Sequence, residues 1–415
     1  MKNFAFRYLL LLACGMLLFS LTSCSHKNEL PEDDKTPQTL IVYMVGTDLS
    51  WAYSTNASDI EKAIRKNIKG RSRVIIVRHS DKQTLRAVEI EYVNNKAKEE
   101  ERTREKEFAT YNLPTTMDTS TLGYIFSDIT SRAEAQSYGL IIGSHGWGWV
   151  PFADYDTIDN NGGNKYMSHR RQMELLPREY ITRFLGEKTT PSNTFDIETL
   201  SDALSATGKK FDYILFDACF MGNVETVYEL RDNAKFILAS LCEIMGYGFP
   251  YQKIMPLLLQ NGGRSYDLAE VAKCFNEHYK QVSEKGGLHS GSVAVINCAA
   301  LDGLAEKMFQ VNLSLSENLN INKLQSYDGG TNHIFFDLGD YVNQACTDEQ
   351  SKTAFMQQLE RCVVTKYTLD KFWSGYINPN FYPVNREVFS GLTTSAPSRL
   401  CRQSYTQTAW YKATH

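Results

Sequence analysis

Short apolar runs alternate along the chain with stretches of helical periodicity. Thr39–Val45 (TLIVYMV), Arg73–His79 (RVIIVRH), Tyr138–Ser144 (YGLIIGS), Phe211–Asp217 (FDYILFD), Lys235–Leu241 (KFILASL) and Gly291–Cys298 (GSVAVINC) are apolar nearly throughout. Such runs suit strands buried on both faces, hence a mostly parallel sheet covered by helices on each side. Helices are predicted near Asn56–Ile68, Ser120–Ala135, Ile197–Ala206 and from about Phe220 to Leu230, with a hairpin-like pair near Leu85–Tyr111. The fold class is therefore α/β. In such sheets ligands bind beyond the carboxyl ends of the strands, so the residues after each run are the places to look for chemistry.

Three stretches break the pattern. The charged run Lys96–Glu107 (KAKEEERTREKE) reads as a solvated hairpin or loop. Between Trp149 and Phe195 there are clusters of Gly, Asn and Asp and many bases, with few apolar runs; a loop of this length is often functional. After about Ala300 the alternation weakens. Helices are expected near Leu301–Leu315 and Glu349–Val363, while FFDLGDYV and FSGLTTSAP are hard to place. The expected organisation is a core over 39–300 and an α+β subdomain over 301–415 packed on it.

The N-terminus reads as a targeting segment. Lys2 and Arg7 precede the apolar run Tyr8–Leu21, which is too short to span a bilayer and right for a secretory signal. LTSC places Leu21 and small Ser23 before Cys24, the pattern of a bacterial lipobox. LLAC, ending at Cys14, also fits, but it would leave Met16–Leu21 apolar after cleavage. We therefore expect a lipoprotein signal over 1–23, lipidation of Cys24 and a polar tether over 24–38. The protein would then be exported and membrane-anchored, facing the periplasm or the cell surface.

Composition adds exclusions. The 415 residues are 42% apolar and 22% charged, as in a globular protein. A net charge of −4 offers no broad basic surface for nucleic acid. The nine cysteines have no framework spacing and no CxxC pair, so neither a disulfide scaffold nor structural zinc is indicated. HExxH is absent and no metal site is read; oligomeric state is not legible.

Two strand ends carry candidate chemistry. Leu140–Pro151 (LIIGSHGWGWVP) ends an apolar run in His145-Gly146, and Phe211–Leu230 (FDYILFDACFMGNVETVYEL) runs into Asp217-Ala218-Cys219. With Met221, Val224, Val227 and Tyr228 at helical spacing, Cys219 is expected at a helix start, where the thiolate is stabilised. His145 on a neighbouring strand could take its proton, giving a Cys–His dyad. The amides of Gly146 and Cys219 are natural oxyanion donors. A strand-end histidine or a free cysteine is more often structural, and His79, Cys242 and Cys298 occupy similar positions. Context separates them: Cys219 has Asp at −2 and Gly at +3, and His145 has Gly at +1.

These blocks resemble the caspase-like clan of cysteine peptidases, and most closely the clostripain family. IVYMVGTDLSW resembles that family's first strand and turn, although its usual Asn-Asp pair is here Asp48 alone, and NREVFSGLTTSAP…QTAWYKAT resembles its C-terminal segment. The resemblance implies a three-layer αβα sandwich and a cysteine endopeptidase cleaving protein or peptide substrates after Arg or Lys. It makes Asp217 the base of the specificity pocket, where a desolvated carboxylate pairs strongly with a basic side chain; capping of a helix at Cys219 is the plainer role. A second pocket acid is expected near the next strand end, with Glu243 the candidate. The resemblance also implies maturation by cleavage between the two blocks; Lys165, Arg170 and Arg171, after Asn160-Asn161 and Gly162-Gly163, are the favoured sites. No cofactor is required, though some relatives depend on calcium, for which no ligands are assigned. The alternative is a catalytically silent lipoprotein of this fold that binds peptide or glycan. Transpeptidation by the same acyl-enzyme is a third reading.

Overall fold

The computed structural model describes residues 36–67, 71–93, 98–155, 180–183, 194–260, 265–285, 290–330, 332–375 and 379–415, all within one unit, Thr36–His415. The apolar runs form strands as their sequence demands. They are β1 (Gln38–Met44), β2 (Arg73–Asp81), β3 (Thr84–Tyr92), β4 (Thr103–Asn112), β5 (Ser137–Gly143), β6 (Phe211–Asp217), β7 (Ala234–Ala239) and β8 (Ser292–Asn297). Every residue of β1 and β6 is buried. The order is β10-β8-β7-β6-β5-β1-β2-β3-β4, with β10 being Val363–Thr368. Strands β2, β1, β5, β6 and β7 run parallel, and antiparallel partners extend the sheet at both ends. This mixed sheet flanked by helices is the caspase-like sandwich.

One local expectation holds and two change. The charged run is partly edge strand: Arg104–Glu107 face solvent along β4, and such charges discourage pairing with another chain. The first helix spans Ser50–Asn67 and so begins earlier than predicted, because Ala52, Tyr53, Asn56, Ala57, Ile60 and Ile64 already lie on one buried stripe. The helix after Cys219 begins only at Val224, capped by the Asn223 side chain on the Thr226 amide at 2.8 Å. Cys219 is thus not at a helix start.

The two unplaced segments meet each other. Phe336–Asp337 is β9 and pairs antiparallel with Thr393–Thr394, the central residues of FSGLTTSAP. The latter pair packs beside the residues following Cys219: the Thr393 amide donates to the Gly222 carbonyl at 3.0 Å, and the buried Glu225 carboxylate accepts from the Ser395 amide at 2.8 Å. All seven cysteines from Cys219 onward are free. Among the described residues no helix is long and apolar enough to cross a membrane.

Candidate active site

Sheet register brings the two sequence blocks together. Gly143 at the end of β5 pairs with Asp217 at the end of β6. His145 and Cys219 therefore each follow two residues later, on adjacent strands at the carboxyl edge. Gly146 packs against the Cys219 backbone, so closely that a methyl group there would collide with the Cys219 carbonyl. Of the rivals, Cys242 follows β7 at the same edge, but its sulfur faces the Ser292 and Ser240 hydroxyls at 3.4 and 3.7 Å. β8 runs antiparallel to β7, with Asn297 opposite Phe236, so Cys298 sits at the opposite edge of the sheet. The His79 ring turns to the Asp81 carbonyl at 2.9 Å.

The tryptophans after His145 are anchors. Trp147 meets Phe220 and Phe335 edge-on at 5.1 and 5.6 Å, and the buried Trp149 donates to the Ser395 hydroxyl at 2.8 Å. Phe220 takes a left-handed conformation (φ 58°), costing roughly 1–2 kcal/mol. Its stacking on Phe335 at 4.9 Å and the Asn223 side-chain bond to its carbonyl at 2.6 Å hold that turn in place.

β1 supplies a third group that sequence reasoning did not assign. The Asp48 carboxylate lies 2.9 Å from His145 Nε2. Its partial burial would raise its pKa, but the His145 charge and hydrogen bond prevail and lower it. His145 Nδ1 is buried and has no hydrogen-bond partner among the described residues.

The cleft is occupied by the chain's own residues 180–183. This segment pairs antiparallel with Ile244–Gly246: the Arg183 amide donates to the Ile244 carbonyl at 2.8 Å, and the Gly246 amide to the Ile181 carbonyl at 2.7 Å. Arg183 is 0% exposed. Its Nη1 lies 2.8 Å from Asp217 Oδ2 and 2.9 Å from the Asp217 carbonyl oxygen. Its Nη2 donates to Asn56 Oδ1 at 2.8 Å, its Nε to the Gly246 carbonyl at 3.2 Å, and the Tyr53 ring lies 5.4 Å from the guanidinium. Tyr251 donates to the same Asp217 oxygen at 2.6 Å. Burial alone would depress the guanidinium pKa, but the Asp217 carboxylate keeps it charged. Gly248 (φ +71°) closes the pocket, and a side chain there would strike both Arg183 and Asp217.

Arg183 also reaches the backbone of the first block, since the Gly146 amide donates to its carbonyl oxygen at 3.1 Å. Cys219 is 0% exposed, and its sulfur accepts from the Ile244 amide at 3.2 Å. Burial first, and then the charge of Glu243, push its thiol well above the ordinary range. The thiolate stabilisation expected from a helix N-terminus is not met, because the helix starts later and the sulfur is covered.

Asp217 thus lies where a basic side chain is held. Glu243 was expected in the same pocket, but its carboxylate is engaged with the neighbouring residue of the segment, accepting from the Thr182 and Ser374 hydroxyls and, at 3.1 Å, from the Gly375 amide. Lys165, Arg170, Arg171 and Cys24 lie outside the described residues. Sequence reasoning missed Asp48, Asn56, Tyr251 and the segment Tyr180–Arg183. The signal for Arg183 was its place as a base in the insert between the blocks.

A caspase-like sheet with a cysteine and a histidine at adjacent strand ends defines the class of a cysteine peptidase. Residues 161–371 match the family model for the clostripain family, C11. A secreted C11 cysteine protease of Bacteroides thetaiotaomicron, iotapain, is 30% identical, covering 92% of this chain and 100% of its own, with a TM-score of 0.77. An inactive zymogen C11 protease from Parabacteroides distasonis is 25% identical, covering 93% of this chain and 100% of its own, with a TM-score of 0.72. A clostripain from Bacteroides thetaiotaomicron in complex with the peptide inhibitor BTN-VLTK-AOMK is 35% identical over 56% of this chain and 99% of its own, with a TM-score of 0.50. No match is found among curated proteins. The chain belongs to the clostripain family of cysteine peptidases.

Proposed function

We propose that the protein is an endopeptidase that cleaves after arginine through Cys219 and His145, and that the uncut chain is latent because Arg183 fills its own substrate pocket. One observation carries this reading: Arg183 lies in the cleft in the manner of a substrate, with its guanidinium on Asp217 and its carbonyl oxygen on the Gly146 amide. All three guanidinium nitrogens are engaged, a fork that a lysine ammonium could fill only in part, so arginine is preferred to lysine. The lysine that ends the VLTK sequence of the clostripain inhibitor supports a basic residue at this position.

The chemistry follows from the groups at hand. His145 takes the Cys219 proton, and the thiolate attacks the carbonyl carbon after the basic residue. The oxyanion is held by the Gly146 and Cys219 amides. The carbon–nitrogen bond breaks, His145 returns the proton to the leaving amine, and water then releases the acyl group. Asp48 orients the imidazole through Nε2, leaving Nδ1 for proton transfer. In the uncut chain the same geometry presents the Arg183–Phe184 bond, within the basic insert, for self-cleavage. Latency suits an exported enzyme, and the signal-like N-terminus with Cys24 supports export and lipid anchoring. Detergent-phase partitioning that survives Cys24→Ser would refute the anchor.

The reading is tested with a peptidyl-arginine electrophile. It is expected to label the processed protein at Cys219, and Cys219→Ala and His145→Ala are each expected to lower hydrolysis of arginyl reporters by several orders of magnitude. Labelling at Cys242 or Cys298, or full activity in Cys219→Ala, would overturn the assignment.

A further inference from the structure

The segment in the cleft also carries information about the residue before the arginine. In an antiparallel pairing successive side chains point to opposite sides, so while Arg183 enters the Asp217 pocket Thr182 faces a different wall. That wall is built around Glu243, which is 0% exposed. Ser374, at the end of β11 (Lys371–Ser374), and the amide of Gly375 fix the carboxylate, and the Thr182 hydroxyl adds a further donor to Oε2. Thr182 is itself buried, at 1% exposure.

We infer that Glu243 is a specificity residue that selects a hydroxyl-bearing side chain, threonine or serine, immediately before the arginine. This rests on the substrate-like reading of Arg183. A buried carboxylate is costly unless every lone pair finds a donor. Ser374 and Gly375 are built into the wall, whereas the Thr182 position is filled by whatever residue occupies the cleft. A threonine donates to Oε2, while an isosteric valine has the same shape and takes that one hydrogen bond away, the Gly375 amide remaining. Sites that hydrogen-bond a ligand hydroxyl reject its apolar isostere for this reason. Glu243 does not act on the scissile bond. Its charge also bears on the Cys219 thiol, an effect common to all peptides, so the subsite is read from the ratio between peptides.

The test uses the processed full chain with fluorogenic peptides ending in Tyr-Ile-Thr-Arg and Tyr-Ile-Val-Arg. The threonine peptide is expected to have a kcat/KM about 10–100-fold higher, the worth of one hydrogen bond to a charged acceptor. Serine should lie nearer threonine, and alanine nearer valine. In Glu243→Gln, where the carboxylate charge is removed, the threonine-to-valine ratio should fall to a few-fold. The wild-type ratio stands on its own if that variant fails to fold. Equal rates on the two peptides in wild type would overturn the subsite while leaving cleavage after arginine intact. An unchanged ratio in a folded Glu243→Gln would assign the preference to another residue. Cleavage of neither peptide would refute the arginine reading, and the subsite with it.

Discussion

The edge of the sheet and the segment lying across it are held in different ways. Asp48, His145, Asp217 and Cys219 follow or end three adjacent strands, β1, β5 and β6, whose register leaves their relative positions little freedom. Tyr180–Arg183 is held by a few backbone bonds to Ile244–Gly246, by the Asp217 pair and by the Glu243 contact. On the proposed reading, the reacting groups are assembled before any processing, and latency comes from an added strand. That reading predicts activation by removal of the strand from the cleft, with no rebuilding of the sheet edge. The raised thiol pKa of Cys219 belongs to the covered state, since burial is its leading cause.

The contrast can be broken at several points. The largest effect is expected at Asp217, where the pocket and its occupant meet. Asp217→Asn should weaken arginyl substrates by about 2–5 kcal/mol in kcat/KM, the cost of losing one partner of a desolvated pair. Neutral substrates should change little, and an equal loss on both would make Asp217 a structural group.

An intermediate effect is expected at Asp48, which belongs to the edge alone. Asp48→Asn should lower kcat about 10–100-fold with KM unchanged, as expected of a residue that positions a base. A change in KM with kcat intact would place Asp48 in substrate binding instead. Because its pKa is lowered, this contact is present above the ordinary aspartate range and lost as pH falls through the lowered value.

The smallest effect concerns the clasp between Val224–Glu229 and Thr393–Ser395. Burial raises the Glu225 carboxyl to about 7, so the folded protein holds a proton that the unfolded chain releases at lower pH. Its stabilising contribution is full below the ordinary glutamate value and is lost as pH rises through about 7. Urea unfolding should show a loss of roughly 1–3 kcal/mol over that interval, absent in Glu225→Gln. A flat wild-type profile would count against it.

Much of this was legible in the sequence because the strands are continuous apolar runs, and a run buried on both faces has few other places to go. His145 and Cys219 could be singled out by their neighbours, Gly146 and Asp217. The start of the helix after Cys219 was misread because Met221 and Val224 keep helical spacing, while the left-handed turn at Phe220 and the cap at Asn223 override it. Asp48 could not be paired with His145 from sequence, since the contact joins residues on different strands and no local pattern marks it. Arg183 was hidden for a similar reason. Four residues are too few to show a strand period, and its partners Asn56, Asp217 and Gly246 are scattered along the chain.

The account's central claim, that the chain blocks its own cleft with the bond it later cuts, is most directly tested by intact-mass spectrometry and N-terminal sequencing of purified wild type beside Cys219→Ala. The account expects two wild-type fragments, the second beginning at Phe184, with activity rising as the uncut chain disappears, and a single uncut chain in Cys219→Ala. Full activity from an uncut chain, or activation by cleavage at Lys165, Arg170 or Arg171 with the Arg183–Phe184 bond intact, would contradict it.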